Sequence, residues 1–485
     1  MTSSEPYTCF KVLRVADRTF LYDRGLHEIF EIDSKTALVL EHGSPALGDK
    51  LSSNLGELSN LDPGEFQQRL DFFRNAESSW RLLQPMTIAM TAPEKISLNP
   101  RTVEFIITGR CNQKCFYCAA RDRYVSQDGT YDMMTLDIAA RSVDLVRRYY
   151  DGGRLVLRFF GGEPLLAFDI VRMVVDSFDQ YGIDSTKIIS TNGLLLNESI
   201  VDFLVQKGFR TFISLDGPKN VHDAYRRTIK GEGTYETVVG RLRMIKNRYP
   251  DYFRSHVVIN MVVAPEYAGK YIEHVKHIES LGIEPHQIHP GDTIPTSEKC
   301  THYNMAEISK VRWEKAELRK SIINQMLNDQ CHETNESYEA YCRFRPSASA
   351  DVHNNPGEES PDYMIFEDCQ SRCWSVLTIW PDGKISACLD FERRDDLVFG
   401  DVNTGQLYFE KLASFQELFR NSVVVGECST CWAARFCTFT GCYIHFARNM
   451  CRPDWQNPTM CEYLQDDVRE RMEDYLMLLM EQGKA

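Results

Sequence analysis

Three cysteines, Cys111, Cys115 and Cys118, stand at C-x3-C-x2-C spacing just beyond the apolar run Thr102–Thr108. Three thiolates on one tight loop can hold three corners of a cubane 4Fe-4S cluster and leave its fourth iron open to a small ligand. Zinc is the competing use, although a structural zinc site normally closes with four protein ligands and no fourth Cys or His lies nearby in sequence. The next apolar run, Arg154–Phe160, leads straight into Gly161-Gly162-Glu163-Pro164. Two glycines remove side chains, so that backbone polar groups can approach a ligand closely. Glu163 supplies a carboxylate that could accept from an ammonium group. An ordinary turn after a strand would use the same glycines and proline.

A second group of cysteines fills the tail. Cys373-x9-Gly383-x4-Cys388 precedes Cys428-x2-Cys431-x5-Cys437, then Cys442 and Cys461, with Cys369 just upstream. Eleven of the sixteen cysteines therefore fall into short-spaced groups. A chain without an export signal sits in a reducing compartment, where such groups are usually metal ligands rather than disulfides. C-x2-C is also a common zinc knuckle. The other five, Cys9, Cys300, Cys331, Cys342 and Cys451, lack a partner spacing and read as ordinary thiols, with Cys451 an alternative to Cys461 as last ligand.

The elements that must position these residues follow from periodicity. Strands and helices alternate from residue 102: Thr102–Thr108, helix Leu136–Tyr150, strand Arg154–Phe160, helix Asp169–Tyr181, strand Lys187–Thr191 and helix Glu198–Lys207. Strand Arg210–Leu215, helix Thr234–Tyr249, strand His256–Val263, helix Lys270–Leu281 and a closing QIHP complete the series. Nearly continuous apolar strands separated by helices predict a parallel α/β sheet, a partial (β/α)6 TIM-type barrel that stays open at one side. In such barrels, chemistry sits on loops leaving the C-terminal ends of strands, where both the cysteine loop and the Gly-Gly-Glu-Pro turn lie.

Before the barrel, FKVLRVA, RTFLYD and LHEIFEID read as three strands, followed by helical periodicity at Lys35–Glu41 and Phe66–Leu83. After it come a charged helix at Met305–Asn328, a polar linker-like stretch, a cysteine-rich region and a last amphipathic helix, Gln465–Glu481. The expected division is 1–99, a small α+β domain; 100–290, the barrel; 291–367, a helical insertion and linker; and 368–485, a cysteine-rich iron–sulfur domain.

The cysteine loop and the GGEP motif together resemble the radical S-adenosylmethionine (SAM) superfamily. That resemblance implies that Cys111, Cys115 and Cys118 ligate a cluster whose open iron chelates the amino and carboxylate groups of S-adenosyl-L-methionine. It places Tyr117 near the adenine, and Gly161, Gly162, Glu163 and Pro164 at the methionine amine. Ser190-Thr191-Asn192-Gly193 and Ser214-Leu215-Asp216-Gly217-Pro218 correspond to the family's further cofactor loops. Ser190, Asn192, Ser214 and Arg226 thereby become cofactor contacts, although such clusters at strand ends are usually just turns. The tail resembles the SPASM extension, which implies two auxiliary 4Fe-4S clusters and three in all. One would use Cys373, Cys388 and Cys442, with Cys369 as a fourth ligand or not. The other would use Cys428, Cys431, Cys437 and Cys461. Cys437 and Cys442 are separated by four residues where the family usually has three. The N-terminal segment resembles the winged-helix-like leading domains of radical peptide maturases, which capture a precursor's leader as an added strand; a stability cap is the alternative.

Composition narrows the field. The 485 residues are 43% hydrophobic and 26% charged, with a net charge of −14. That balance belongs to globular proteins and disfavours broad nucleic-acid binding. No apolar run approaches the roughly 18 residues a membrane helix needs, and a cytoplasmic location is expected. The leading expectation is a maturase that installs an intramolecular thioether or carbon–carbon cross-link in a ribosomally made peptide or small protein. Its partners would be that precursor and a flavodoxin- or ferredoxin-like electron donor. The alternatives are an anaerobic sulfatase-maturating enzyme forming formylglycine, for which Asp390 is a candidate base although an acidic residue in a turn is the commoner reading, and a non-catalytic iron–sulfur electron carrier.

Overall fold

The computed structural model describes residues 10–23, 28–34, 100–118, 133–153, 155–264, 269–284, 287–290, 376–387, 397–414, 432–433 and parts of 465–480, with a few single positions besides. Apart from Ala37 and Glu314, both helical, the expected helices at 35–41, 66–83 and 305–328 and the polar linker lie outside the described residues. So do Asp390 and all the tail cysteines: Cys369, Cys373, Cys388, Cys428, Cys431, Cys437, Cys442, Cys451 and Cys461.

Two compact units divide the chain. The first gathers Met1–Glu94, Ile323–Cys369 and Ala413–Ala485. Its described part is an antiparallel meander of β1 (Phe10–Val15), β2 (Arg18–Asp23) and β3 (Glu28–Ile32). Val15 pairs with Arg18 across a two-residue turn in which Ala16 takes a positive φ of 53°. Leu13, Val15, Phe20 and Tyr22 share one core with Trp432, Ala433 and the terminal-helix residues Val468, Met472 and Leu476. Those last three recur every four residues, which is one face of a helix. The unit is therefore built from both extremes of the chain.

The second unit, Lys95–Ile322 with Gln370–Leu412, holds the barrel. Six parallel strands follow one another in chain order: β4 (Thr102–Thr108), β5 (Leu155–Gly161), β6 (Ser185–Thr191), β7 (Phe209–Ser214), β8 (Val257–Met261) and β9 (Ile288–Pro290). Helices α1 (Leu136–Tyr149), α2 (Phe168–Gln180), α3 (Glu198–Gln206), α5 (Tyr235–Arg248) and α7 (Tyr271–Ser280) lie where periodicity puts them. Thr135 and Asn197 cap α1 and α3 by accepting from Ile138 and Ile200 N–H groups. Two short helices, α4 (Lys219–Tyr225) and α6 (Pro250–His256), are additional.

The sheet does not end at β4. Strand β10 (Val376–Ile379) pairs parallel to it, and β11 (Lys384–Ser386), β12 (Gly400–Asp401) and β13 (Gln406–Leu407) continue antiparallel. The result is an open ten-stranded sheet in which β13 and β9 form the edges. Its middle is held by one buried carboxylate that links three strands. Glu104 of β4, 3% exposed, accepts from Arg158 of β5 at 2.7 Å and from Thr378 of β10 at 2.8 Å. Among the described residues, no helix is long and apolar enough to cross a membrane.

Candidate active site

Every side chain of β4 is buried, so the strand is a fixed platform for the loop that follows it. That loop is laced to its neighbours through backbone groups. Gly162 N–H donates to Thr108 C=O at 2.7 Å, and Glu163 N–H to Arg110 C=O at 2.9 Å. A Cβ on Gly161 would clash with the Thr108 carbonyl, and one on Gly162 with the Arg110 carbonyl. Gly161 also takes a φ of 137°, which side chains disfavour. The two glycines thus serve the approach of one barrel loop to the next.

Opposite lies the segment after α4. Lys114 N–H donates to Arg227 C=O at 2.8 Å, Phe116 N–H to Tyr225 C=O at 3.0 Å, and Ile229 N–H to Asn112 C=O at 3.3 Å. Gln113 and Thr228 form an antiparallel bridge. The cysteine loop is consequently held as a short strand against residues 225–229.

Cys111, Cys115 and Cys118 are free thiols, each partly exposed. Polar donors converge on two of them. Gln113 N–H reaches Cys111 Sγ at 3.4 Å, Asn192 Nδ2 reaches it at 3.6 Å, and Arg226 approaches Cys115 Sγ at 4.0 Å. Burial pushes the Cys111 thiol up to about 12 and raises Cys115 as well. A metal must therefore displace protons to bind there. No three His, Cys, Asp or Glu side chains among the described residues converge on a single ion. The fit to a cluster rests on the donor set and on Gln113. That side chain is 6% exposed; its Oε1 faces Cys115 Sγ at 3.4 Å, while its buried Nε2 lacks a hydrogen-bond partner. A sulfide-rich group beside the thiols would satisfy that donor.

Glu163 is fully buried, and its carboxylate is used within the chain. Oε1 accepts from Thr191 Oγ1 at 2.8 Å and Leu165 N–H at 3.1 Å; Oε2 accepts from Asn192 N–H at 2.7 Å. Burial raises its pKa to about 7, against these hydrogen bonds. Pro164, also buried, opens the 3-10 turn Pro164–Ala167 that Glu163 caps. Both carboxylate oxygens thus brace the loop after β6. Asn192 answers by donating to Asn112 Oδ1 at 2.7 Å, next to Cys111.

Tyr117 points toward Asp216, to which its hydroxyl donates a hydrogen bond, and stacks on Tyr225 at 5.9 Å. Asp216 is the hub of this corner. Arg226 Nε donates to it at 2.7 Å and Val262 N–H at 3.0 Å, and the guanidinium lies over the Tyr117 ring. The Asp216 N–H meets His222 Nδ1 at 3.3 Å, and the other ring nitrogen lies 3.0 Å from Thr234 Oγ1. An acceptor Nδ1 requires a neutral imidazole with its proton on Nε2, and burial lowers the His222 pKa to about 4 accordingly.

The remaining sequence candidates, Ser190 and Ser214, lie near the C-terminal ends of β6 and β7 in the partly exposed set of alternate residues. That set includes Arg158, Phe160, Phe212 and Asn260. The opposite, buried set is covered by helices, with Phe203 of α3 against Phe209. The structure thus brings Cys111, Cys115, Tyr117, Asn192 and Arg226 into one network, with Glu163 behind it. Asn112, Gln113, Asp216 and His222 belong to that network too. Asp216 stood inside a quoted motif, whereas Gln113 carried no signal beyond its place between two cysteines.

Residues 105–278 match the family model described as Radical SAM superfamily. A cysteine-type anaerobic sulfatase-maturating enzyme from Clostridium novyi is 28% identical over 160 residues, 32% of this chain and 42% of that protein. A serine-type anaerobic sulfatase-maturating enzyme from Klebsiella aerogenes is 25% identical over 359 residues, 69% of this chain and 77% of that protein. The match spans only about two fifths of the cysteine-type relatives, 42% and 38% of their length. Among solved structures, anSMEcpe with bound AdoMet and Cp18Cys peptide superposes with a TM-score of 0.57 at 18% identity, covering 80% of this chain and all of that one. That likeness establishes the shared fold.

Proposed function

We propose that this chain, which carries a radical SAM domain, is a maturase that modifies a ribosomally made peptide or small protein, installing an intramolecular thioether or carbon–carbon cross-link. The observation that carries the reading is the cysteine loop at the C-terminal end of β4, with two of its thiols met by donors from three barrel loops. A 4Fe-4S cluster held by Cys111, Cys115 and Cys118 would supply the electron that splits S-adenosylmethionine into methionine and a 5′-deoxyadenosyl radical. The chain's own part is to position and to exclude water. Asn192 and Gln113 direct hydrogen bonds at the sulfur side of the loop, and Asp216 fixes Tyr117 and Arg226. Gly161, Gly162, Glu163 and Pro164 remain the loop proposed for the methionine amine, with the Glu163 carboxylate hydrogen-bonded to Thr191, Leu165 and Asn192. Ser190, Ser214 and Asn260, with Phe160 and Phe212, offer a mixed polar and aromatic surface for the nucleoside and the target C–H bond.

The tail cysteines support two auxiliary clusters by their place along the chain. Along the chain, Cys373 precedes β10 by three residues and Cys388 follows β11 by two. Gly383, at φ 88°, makes the turn between the strands. The proposed sets remain Cys373, Cys388 and Cys442, with or without Cys369, and Cys428, Cys431, Cys437 and Cys461. The meander β1–β3 supports leader capture, because an outer strand can accept a peptide by main-chain pairing. Segments 1–99 and 368–485, with these two proposed roles, contribute to one core through Trp432 and Val468.

Likeness to the Klebsiella aerogenes protein over 69% of this chain favours a second reading, oxidation of a Cys or Ser in a protein substrate to formylglycine. One anaerobic experiment tests the class. Reconstituted protein with dithionite and S-adenosylmethionine should form deoxyadenosine and hold roughly twelve irons, whereas the Cys111→Ala/Cys115→Ala/Cys118→Ala protein forms none and loses about four. Iron-replete protein that makes no deoxyadenosine with a candidate peptide would be an electron carrier. An aldehyde in the product selects the second reading and a cross-link the first.

A further inference from the structure

We infer that His222 is a positioning residue: with Asp223 beside it, it clasps a hairpin of residues 226–234 against the cysteine strip and so fixes Arg226 beside Cys115 and Tyr117. This role deepens the radical SAM reading given above and rests on it for the cofactor that Arg226 would meet. The hairpin is short. Arg227 bridges Gly233, Thr228 N–H donates to Glu232 C=O at 2.9 Å, and Gly231 N–H to Thr228 C=O at 2.8 Å. Its leading residues are those to which Asn112, Gln113 and Lys114 pair. Whatever holds the two ends of the hairpin therefore holds the strip that carries Cys115.

Both ends are tied to α4. Asp223 Oδ1 accepts from the Thr234 and Tyr235 N–H groups at 2.7 and 2.8 Å, and the Asp223 C=O accepts from Arg227 Nε at 2.8 Å. A Cβ on Gly233 would collide with the Asp223 carboxylate, so the hairpin closes directly on it. His222, 0% exposed, ties the rest. Its C=O accepts from Arg226 N–H at 2.8 Å. Thr234 Oγ1 spends its single proton on Arg226 C=O at 2.9 Å, so it accepts from His222 Nε2–H at 3.0 Å. Nδ1 is then left to accept from Asp216 N–H at 3.3 Å. One neutral ring thus joins the backbones of Asp216 and, through Thr234, Arg226, the two members of the buried ion pair at 2.7 Å. Arg226 is held at its N–H, its C=O and its Nε, which leaves Nη1 for Cys115 Sγ at 4.0 Å. A buried network with every member satisfied specifies one geometry. A histidine that merely filled space against the Tyr235 ring could be exchanged for phenylalanine without consequence at the cysteines.

The test compares full-length wild type with His222→Phe, which keeps a ring but strips both nitrogens, with Thr234→Val, which removes the hydroxyl relay at nearly constant shape, and with the double variant. In the cluster-free chain, hydrogen exchange at the Lys114 and Phe116 amides should quicken about tenfold in His222→Phe and about threefold in Thr234→Val, while α2 amides keep their wild-type rates. In reconstituted protein of equal iron content, S-adenosylmethionine binding, read by dialysis and by its effect on the cluster's electron paramagnetic resonance, should weaken by similar factors. Because the two residues act through one relay, the double variant should be no weaker than His222→Phe alone. Lys114 and Phe116 exchange within twofold of wild type, or acceleration shared equally by α2, overturns the clasp. So does a double variant whose losses simply add. Should His222→Phe not fold, Thr234→Val is judged by the same two criteria. Wild type that holds iron yet does not bind S-adenosylmethionine would remove the radical SAM reading and leave the exchange result standing.

Discussion

The backbone N–H of Asn192 donates to the Glu163 carboxylate at 2.7 Å, so a side chain leaving β5 decides where the backbone turns after β6. The same turn aims the Asn192 amide at Cys111. A buried carboxyl and, one strand further, a buried imidazole therefore stand behind the cofactor loops, and both titrate away from their usual range.

Their pH dependences oppose. Glu163 is raised from 4.5 to about 7. Between those values the folded protein keeps a proton that the unfolded chain has lost, so stability falls as pH rises, by about 3 kcal/mol over the full window. His222 is lowered from 6.5 to about 4. There the unfolded chain binds the extra proton, so stability falls as pH drops, by about the same amount. Glu163→Gln should leave local stability that climbs with pH, and His222→Gln stability that declines. Hydrogen exchange of β6 and β7 amides from pH 4.5 to 7, corrected for intrinsic rates, checks both. Identical profiles for the two variants would refute the pairing.

Alanine at Gly161 or Gly162 must push a carbonyl aside. Each substitution should lower stability by about 1–3 kcal/mol and weaken S-adenosylmethionine binding. Gly240 in α5 has open space around its Cα, and Gly240→Ala should stabilise by up to ~1 kcal/mol. Thermal unfolding of the three variants side by side separates close approach from glycine content.

Asn192→Ala removes a donor 3.6 Å from Cys111 Sγ. Hydrogen bonds to cluster sulfur favour the reduced state. A bond worth about 1 kcal/mol corresponds to a drop of about 40 mV in midpoint potential. Redox titration followed by electron paramagnetic resonance should find that shift with iron content intact; an unchanged potential would mean that the amide only orders the loop through Asn112.

Removing Glu104 leaves Arg158 and Thr378 without their shared acceptor. Glu104→Ala should cost about 3–5 kcal/mol, whereas Glu104→Leu/Arg158→Met, which removes both charges, should cost less. A double-mutant cycle on denaturant unfolding measures the difference. A double variant as unstable as the single one would show that packing, not the ion pair, holds the three strands.

Much of this was legible in the sequence because β4 to β8 are short, nearly continuous apolar runs between amphipathic helices. The cysteine loop and the glycine pair announced themselves through spacing alone. What stayed hidden depends on direction and distance. Glu163 could be placed beside the cofactor but not turned, and in the structure its oxygens face Thr191 and Asn192 rather than outward. Asp216 and His222 matter through partners far along the chain that no local pattern names. Helices α4 and α6 span seven residues each, too short for periodicity to register. Pairing of β10 with β4 left no trace, because parallel neighbours impose no turn between them.

That pairing sets a timetable for synthesis. Thr378 and Glu104 are 274 positions apart, so β4 emerges from the ribosome long before its partner on that side. At roughly 5–20 residues per second the wait is on the order of fifteen to fifty seconds. Throughout it, one flank of a strand rich in apolar residues has free N–H and C=O groups, an invitation to pair with another nascent chain. Anaerobic expression at low temperature, or with chaperones that shield strand edges, should therefore raise the soluble yield, and truncation before residue 376 should leave a barrel prone to aggregate.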